Sequence, residues 1–354
     1  MQTLMTLCRP GFEKECVAAL DDACTRRGLS GYGRAAGGSG FASYVLHECD
    51  ARALLRDISL DELIFARDLL VVADPLAIQP PDRLASLRVL LDALPPIAAV
   101  QVAAPDTNEG RELAALCRQL EKPLAAALRQ KGLPGEIKSD WRCVLFLPDG
   151  GTGIVGLGSV RHAPPWPLGV PRLKLSREAP SRSALKLEEA WHLFIPRDQW
   201  GERLRPGMLA VDLGAAPGGW TWQLTRRGMR VDAVDNGPLA PVLNDDPRVT
   251  HHRADGFSFR PKRPVDWLVC DMVEKPAAVT ALVGRWLVQR LCRQVIFNLK
   301  LPMKQRYREA QANLARLAEE LDAAGLAYEL RARQLYHDRE EITVYVAVSG
   351  RAST

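Results

Sequence analysis

The alternation of apolar and polar positions changes character near residue 165. Before it, short apolar runs at residues 3–8, 41–46, 64–72 and 97–103 read as strands. Between them, Cys16, Val17, Leu20 and Cys24 mark one face of a helix that ends near Gly28. Residues 84–94 read as a helix closed by Pro95-Pro96, and residues 111–131 as a helix broken or kinked at Pro123. Two apolar runs, 143–147 and 153–160, predict a hairpin. This first region reads as a compact α/β or α+β domain over residues 1–160, and no catalytic motif stands out in it.

After residue 180 the pattern becomes a regular strand–helix alternation. Strands are predicted at 208–213, 231–234, 249–253, 267–270 and 295–299. Helices are predicted at 181–194, 219–227, 277–291 and 305–324. The strand at 208–213 is continuously apolar, as central parallel strands are. Repeated strand–helix units predict an α/β, doubly wound, Rossmann-like parallel sheet. Two closing runs, 328–335 and 342–348, predict a terminal antiparallel hairpin, the arrangement of S-adenosylmethionine-dependent methyltransferases. Between the regions, residues 162–171 hold four prolines, which places a stiff, basic linker at 161–180 and the second domain at 181–354.

Composition sharpens the picture in two ways. The 354 residues carry a net charge of +5, unevenly spread. Residues 1–150 hold 17 Lys and Arg against 20 Asp and Glu, whereas residues 151–354 hold 30 against 22. Six basic residues fall between Arg161 and Lys186 beside one acid, Glu178, either as a solvated connector or as a strip for phosphates. The eight cysteines show no C-x-x-C spacing, so reduced thiols in a cytoplasmic protein are expected. No apolar run is long enough for a membrane span, the N-terminus does not read as a signal peptide, and the scattered histidines predict no metal site.

The most specific local signal is V-D-L-G-A-A-P-G-G-W at 211–220, a glycine turn between strand and helix. The second glycine of the dinucleotide fingerprint is replaced here by Ala216, followed by rigid Pro217. A cofactor without phosphates fits better, and S-adenosylmethionine has none. Asp212 closes the first strand, where it could face that cofactor's ammonium group or order the loop. Asp235 ends the next strand, 21 residues beyond Gly214, where a carboxylate can accept ribose hydroxyls. Asp255 follows the third strand and could accept from the adenine amino group, although strand-end acids also cap turns.

A second constellation lies downstream. Asp271 ends one strand, Lys300 ends the next, Glu341 opens the last, and Lys186 lies on the helix before the sheet. A shared strand-end crevice would bring them together. A ribose hydroxyl is a weak nucleophile and needs its proton removed. Lys300 can accept it once its pKa is depressed, which burial and the second cation at Lys186 favour. Asp271 and Glu341 would orient the amines. The [D/N]-P-P-[Y/F] turn for amino groups and the Pro-Cys route to a pyrimidine carbon are both missing, which leaves methylation at oxygen.

The motifs S-R-S-A-L-K-L-E-E (181–189), A-P-G-G-W (216–220), V-D-N-G-P-L (234–239), V-C-D-M-V-E-K-P (269–276), F-N-L-K-L-P-M-K (297–304) and Q-L-Y-H-D-R-E-E (334–341) closely resemble the RlmM family. These are bacterial 23S rRNA cytidine ribose 2′-O-methyltransferases, related to the FtsJ-like group with its K-D-K-E tetrad. The resemblance covers most of residues 165–348. It implies a tetrad of Lys186, Asp271, Lys300 and Glu341 with Lys300 as proton acceptor. Glu340 competes for the last place. It also implies S-adenosyl-L-methionine as cofactor, touching Ser183, Ala216, Pro217, Gly218, Gly219, Asp235, Asp255 and Asp271. A THUMP-type RNA-binding region at 1–160 is implied too, with Arg111, Arg118, Lys122, Arg129 and Lys131 as its candidate basic face. The expected partner is 23S rRNA, unassembled or partly assembled, with the enzyme a monomer away from membranes. A ribose methyltransferase of another RNA such as tRNA, and an inactive RNA-binding assembly factor, are the alternatives.

Overall fold

The computed structural model describes residues 1–47, 49–129 and 139–351. The chain forms two compact units, Met1–Val170 and Pro171–Thr354.

In the first unit the elements run β1 (Thr3–Cys8), α1 (Glu13–Thr25), β2 (Gly31–Ala35), β3 (Phe41–Leu46), α2 (Ala51–Asp57), β4 (Ala66–Val72) and β5 (Leu76–Ala77). They continue as α3 (Arg88–Asp92), β6 (Ala99–Ala103), α4 (Asn108–Glu112), α5 (Ala114–Arg129), β7 (Trp141–Asp149) and β8 (Thr152–Ser159). One sheet orders them β2-β3-β1-β4-β8-β7-β6, with β5 paired to β8. Leu124 and Leu128 of α5 pack with Leu145 and Leu157 of the sheet in a buried cluster. Of the break or kink expected at Pro123 the break does not occur: α5 runs through it, and the interruption falls at Leu113 instead. Gln119 and Pro123 both lie on the exposed side, so water can satisfy the Gln119 carbonyl that Pro123 cannot. Arg118, Lys122 and Arg129 are exposed on α5, Arg111 is exposed on α4 and pairs with Asp106, and Lys131 lies outside the described residues.

The second unit follows the predicted alternation closely. Its elements are α6 (Ala184–Phe194), α7 (Trp200–Arg203), β9 (Leu209–Leu213), α8 (Gly219–Arg226), β10 (Arg230–Val234), α9 (Pro241–Asn244) and β11 (Val249–His252). Then come β12 (Val265–Cys270), α10 (Pro276–Val288), β13 (Cys292–Lys300), α11 (Arg306–Ala323), β14 (Leu326–Arg333) and β15 (Glu341–Arg351). The sheet order is β11-β10-β9-β12-β13-β15-β14. Strands β9 to β13 are parallel, and β15 enters antiparallel to both β13 and β14. Strand order reverses between β9 and β12, whose ends align Leu213 with Cys270. The crevice beyond such a reversal is where doubly wound sheets bind ligands. Below it, Trp191, Trp267, Phe194 and Tyr345 form a dry core that fixes α6 against the sheet.

Candidate active site

The glycine turn is built for close approach. Gly214 and Gly218 have φ of +78° and +111°, which side chains rarely adopt. A Cβ at Gly218 would come within 2.1 Å of Leu243, and one at Gly214 within 2.7 Å of Met272. One at Gly219 would meet the hydroxyls of Ser183 and Ser181 at 2.3 and 2.4 Å. Ser183 therefore lies against the start of α8, whose first turn has no side-chain cap. Asp212 is buried and accepts from Thr221 Oγ1 at 2.7 Å, so it ties β9 to α8. Of its two possible roles the structure shows the ordering one, and burial pushes its carboxyl up to about 7.

Asp235 accepts from Ala216 N at 3.0 Å and Gly237 N at 2.7 Å, one bond per oxygen. Each oxygen keeps a second lone pair for a ribose hydroxyl. Asp255 accepts from Phe257 N and Ser258 N, capping an exposed turn, yet this turn reaches the same crevice. A Cβ at Gly256 would meet Met272 Sδ at 2.9 Å, so Met272 is wedged between the glycine turn and the Asp255 turn. His251 and His252 bond the Asp235 carbonyl and Asp232, and no metal-holding cluster of His, Cys, Asp or Glu occurs among the described residues.

At the β12, β13 and β15 ends, two amines and two carboxylates meet. Lys300 Nζ lies 2.8 Å from Asp271 Oδ1 and also contacts Glu341 Oε2. Lys186 Nζ lies 3.4 Å from Asp271 Oδ2 and contacts Glu341 Oε1. Each carboxylate thus gives one oxygen to each lysine. The cause is register: Lys300 and Glu341 are paired across the β13–β15 ladder. Glu341 is 5% exposed and contacts both lysines, whereas the Glu340 side chain is 53% exposed and pairs with Arg306. One expectation is overturned. Burial pushes the Lys300 pKa down, but Asp271 and Glu341 push it up by more, so its net direction is up. The site by itself keeps Lys300 as an ammonium.

Behind the set runs a buried polar chain that sequence reading missed. Asn298 Nδ2 donates to Asp271 Oδ1 at 2.8 Å. Thr343 Oγ1 lies 2.7 Å from Asn298 Oδ1 and 3.0 Å from Asp338 Oδ2. One hydroxyl proton cannot serve both oxygens, and the Asn298 oxygen only accepts. Burial holds the Asp338 carboxyl well above the usual carboxylate range, so the second contact is carried by its own proton. Glu189, one turn after Lys186 on α6, accepts from the Tyr336 and His337 amides and from His337 Nδ1, pinning the loop that delivers Glu341. A period-two reading would have found Asn298 and Thr343, which share strand faces with Lys300 and Glu341.

The donor set fits S-adenosylmethionine: a carboxylate for ribose hydroxyls, uncapped amides for a carboxylate, glycines where a Cβ would obstruct, and acids for a cationic ligand. Fold and site together define a methyltransferase of the FtsJ-like class, and residues 179–319 match the model described as FtsJ-like methyltransferase. Residues 1–70 match the RlmM ferredoxin-like domain, and residues 82–158 the N-terminal region of ribosomal RNA large subunit methyltransferase M. The chain is 51% identical to ribosomal RNA large subunit methyltransferase M of Edwardsiella ictaluri, over 98% of this chain and 94% of that one. It is 49% identical to the Serratia proteamaculans protein of that name, over 99% of both chains. With the Ectopseudomonas mendocina protein identity is 46%, over 99% of this chain and 100% of that one. The chain belongs to the ribosomal RNA large subunit methyltransferase M family.

Proposed function

We propose that this protein methylates the ribose 2′-oxygen of a cytidine in 23S rRNA, with Lys300 as the proton acceptor. The observation that carries the reading is the shared bracket of Lys186 and Lys300 by Asp271 and Glu341 at the ligand edge of the sheet. Ser183, Ala216, Pro217, Gly218, Gly219, Asp235, Asp255 and Asp271 would hold S-adenosyl-L-methionine, which supplies an electrophilic methyl group on a cationic sulfur.

The residues of the chain then divide the work. Asp271 and Glu341 fix the two amines at one spot, so a hydroxyl delivered there meets Lys300 in hydrogen-bond reach. Lys186 places a second amine beside Lys300, and two like charges so close oppose each other. Lys300 must lose its own proton before it can take one from the hydroxyl, and the carboxylates then stabilise the ammonium as it re-forms. Asn298, Thr343 and Asp338 keep Asp271 in orientation from behind. The first unit would bind RNA as a THUMP-type module, and the enzyme would act as a monomer on unassembled or partly assembled rRNA.

Mass mapping of 2′-O-methyl nucleotides in 23S rRNA, from cells with and without the protein, tests the reaction. One methylated cytidine that vanishes with the protein is the expected result. An unchanged 23S map with a lost methyl in tRNA would transfer the activity to another RNA.

A further inference from the structure

One group of charges plays no part in the proposed chemistry. A polar cavity of about 290 Å³ opens beside α8, with Lys174, Arg226 and Arg227 on its walls, Glu188 as its one acid, and Trp222 and Leu185 as apolar lining. Among the described residues, no carboxylate forms an ion pair with any of these three cations. Glu188 is itself engaged, accepting from Gln223 Nε2 at 3.2 Å.

The guanidinium groups are held by their faces. Arg226 lies 4.8 Å over the ring of Trp222, and Arg227 lies 4.4 Å over Trp200. Stacking of this kind leaves the N–H edges available to an acceptor. Arg227 is only partly exposed, and burial together with Arg197 and Arg226 pushes its pKa down. Three cations against the single carboxylate of Glu188 leave an excess of positive charge around the half-buried Arg227, which an anion would relieve.

The position matters as much as the charge. Helix α6 presents Leu185 and Glu188 to this cavity and Lys186 to the catalytic set, so one rigid helix backs both. Lys174 belongs to the basic strip between Arg161 and Lys186, whose use the sequence left open. We propose that the cavity holds a backbone phosphate of the RNA strand flanking the methylated nucleotide, and so sets the register of the strand on the enzyme. This rests on the proposed RNA substrate.

The test uses the full chain and the double variant Lys174→Gln/Arg226→Gln, both exposed and neither in the catalytic or cofactor set. RNA affinity is measured against KCl concentration, with methyl transfer to 23S rRNA alongside. The expected result is a KM for RNA raised about tenfold, and a log–log salt slope shallower by about 1. Maximal turnover, cofactor affinity and thermal midpoint should stay at wild-type values. The charge-keeping double variant Lys174→Arg/Arg226→Lys should restore the slope. An unchanged KM and slope would overturn the proposal, as would protection of the wild type by inorganic phosphate with no difference in RNA binding, which marks a free-anion site. Wild-type turnover on 23S rRNA separately tests the substrate, so failure of the pocket and failure of the enzymatic reading are told apart.

Discussion

At the scale of single residues the account turns on where protons sit. Lys300 is held as an ammonium by Asp271 and Glu341, its pKa displaced upward. Methyl transfer should therefore rise with pH, close to tenfold per unit across the neutral range, because only the free amine accepts the hydroxyl proton. A pH–rate profile at saturating cofactor and RNA checks this; a flat profile from pH 6 to 9 would contradict it. Asp338 gives a second test. Its carboxyl keeps a proton in the fold, while in the unfolded chain it ionises above about pH 4. The native state then binds the extra proton, so stability falls as pH rises above that point. Asn carries a donor and has no proton to lose. Asp338→Asn should thus gain in thermal midpoint relative to the wild type as pH rises above about 4; a constant difference would refute the protonated assignment. The cluster was legible because Asp271, Lys300 and Glu341 are charged and stand at strand ends, with Lys186 on the helix that precedes the sheet. Asn298 and Thr343 were legible only through strand alternation, and Asp338 not at all, since a short acid in the loop before β15 looks the same whether it joins a buried network or faces solvent. The direction of the Lys300 shift was also unreadable, because it depends on distances to both carboxylates.

At the scale of elements, β9, β10 and β11 were read to within a residue, while β12 and β13 start two and three residues earlier than expected; the central strands were legible because strands buried on both faces are continuous apolar runs. The edge strand β2 was missed: Gly31, Gly33 and Arg34 give no alternation, and its residues are mostly exposed. Pro123 misled for a related reason, because the helix tolerates it only through a solvent-facing side that sequence does not reveal. The glycine turn is the element on which cofactor binding depends. Gly218→Ala would add a Cβ both to a left-handed residue and onto Leu243. We expect a stability loss of about 1–3 kcal/mol and weaker cofactor affinity, measured by chemical denaturation and calorimetry. Wild-type values for both would mean the turn relaxes without effect. Glu189 ties α6 to the loop before β15, so Glu189→Gln should lower turnover more than it lowers cofactor affinity, by weakening the grip on the loop that delivers Glu341.

At the scale of the whole molecule, charge and composition set boundaries rather than details. The acidic balance of residues 1–150 stands against simple electrostatic capture of RNA by that region, and the excess of cations lies in the second part, where the catalytic set and the basic cavity also lie. All eight cysteines are free thiols, and no helix of the described residues is long and apolar enough to cross a membrane. Family membership follows from identity along nearly the whole chain, while the roles of individual residues rest on the geometry of one crevice. The central claim is that the Lys300 amine takes the ribose proton. The most direct test is single-turnover methyl transfer to 23S rRNA by Lys300→Met, with S-adenosylmethionine affinity measured on the same protein. The account predicts a rate lower by about 10²–10⁴ with cofactor affinity kept; a rate within about threefold of the wild type would contradict it.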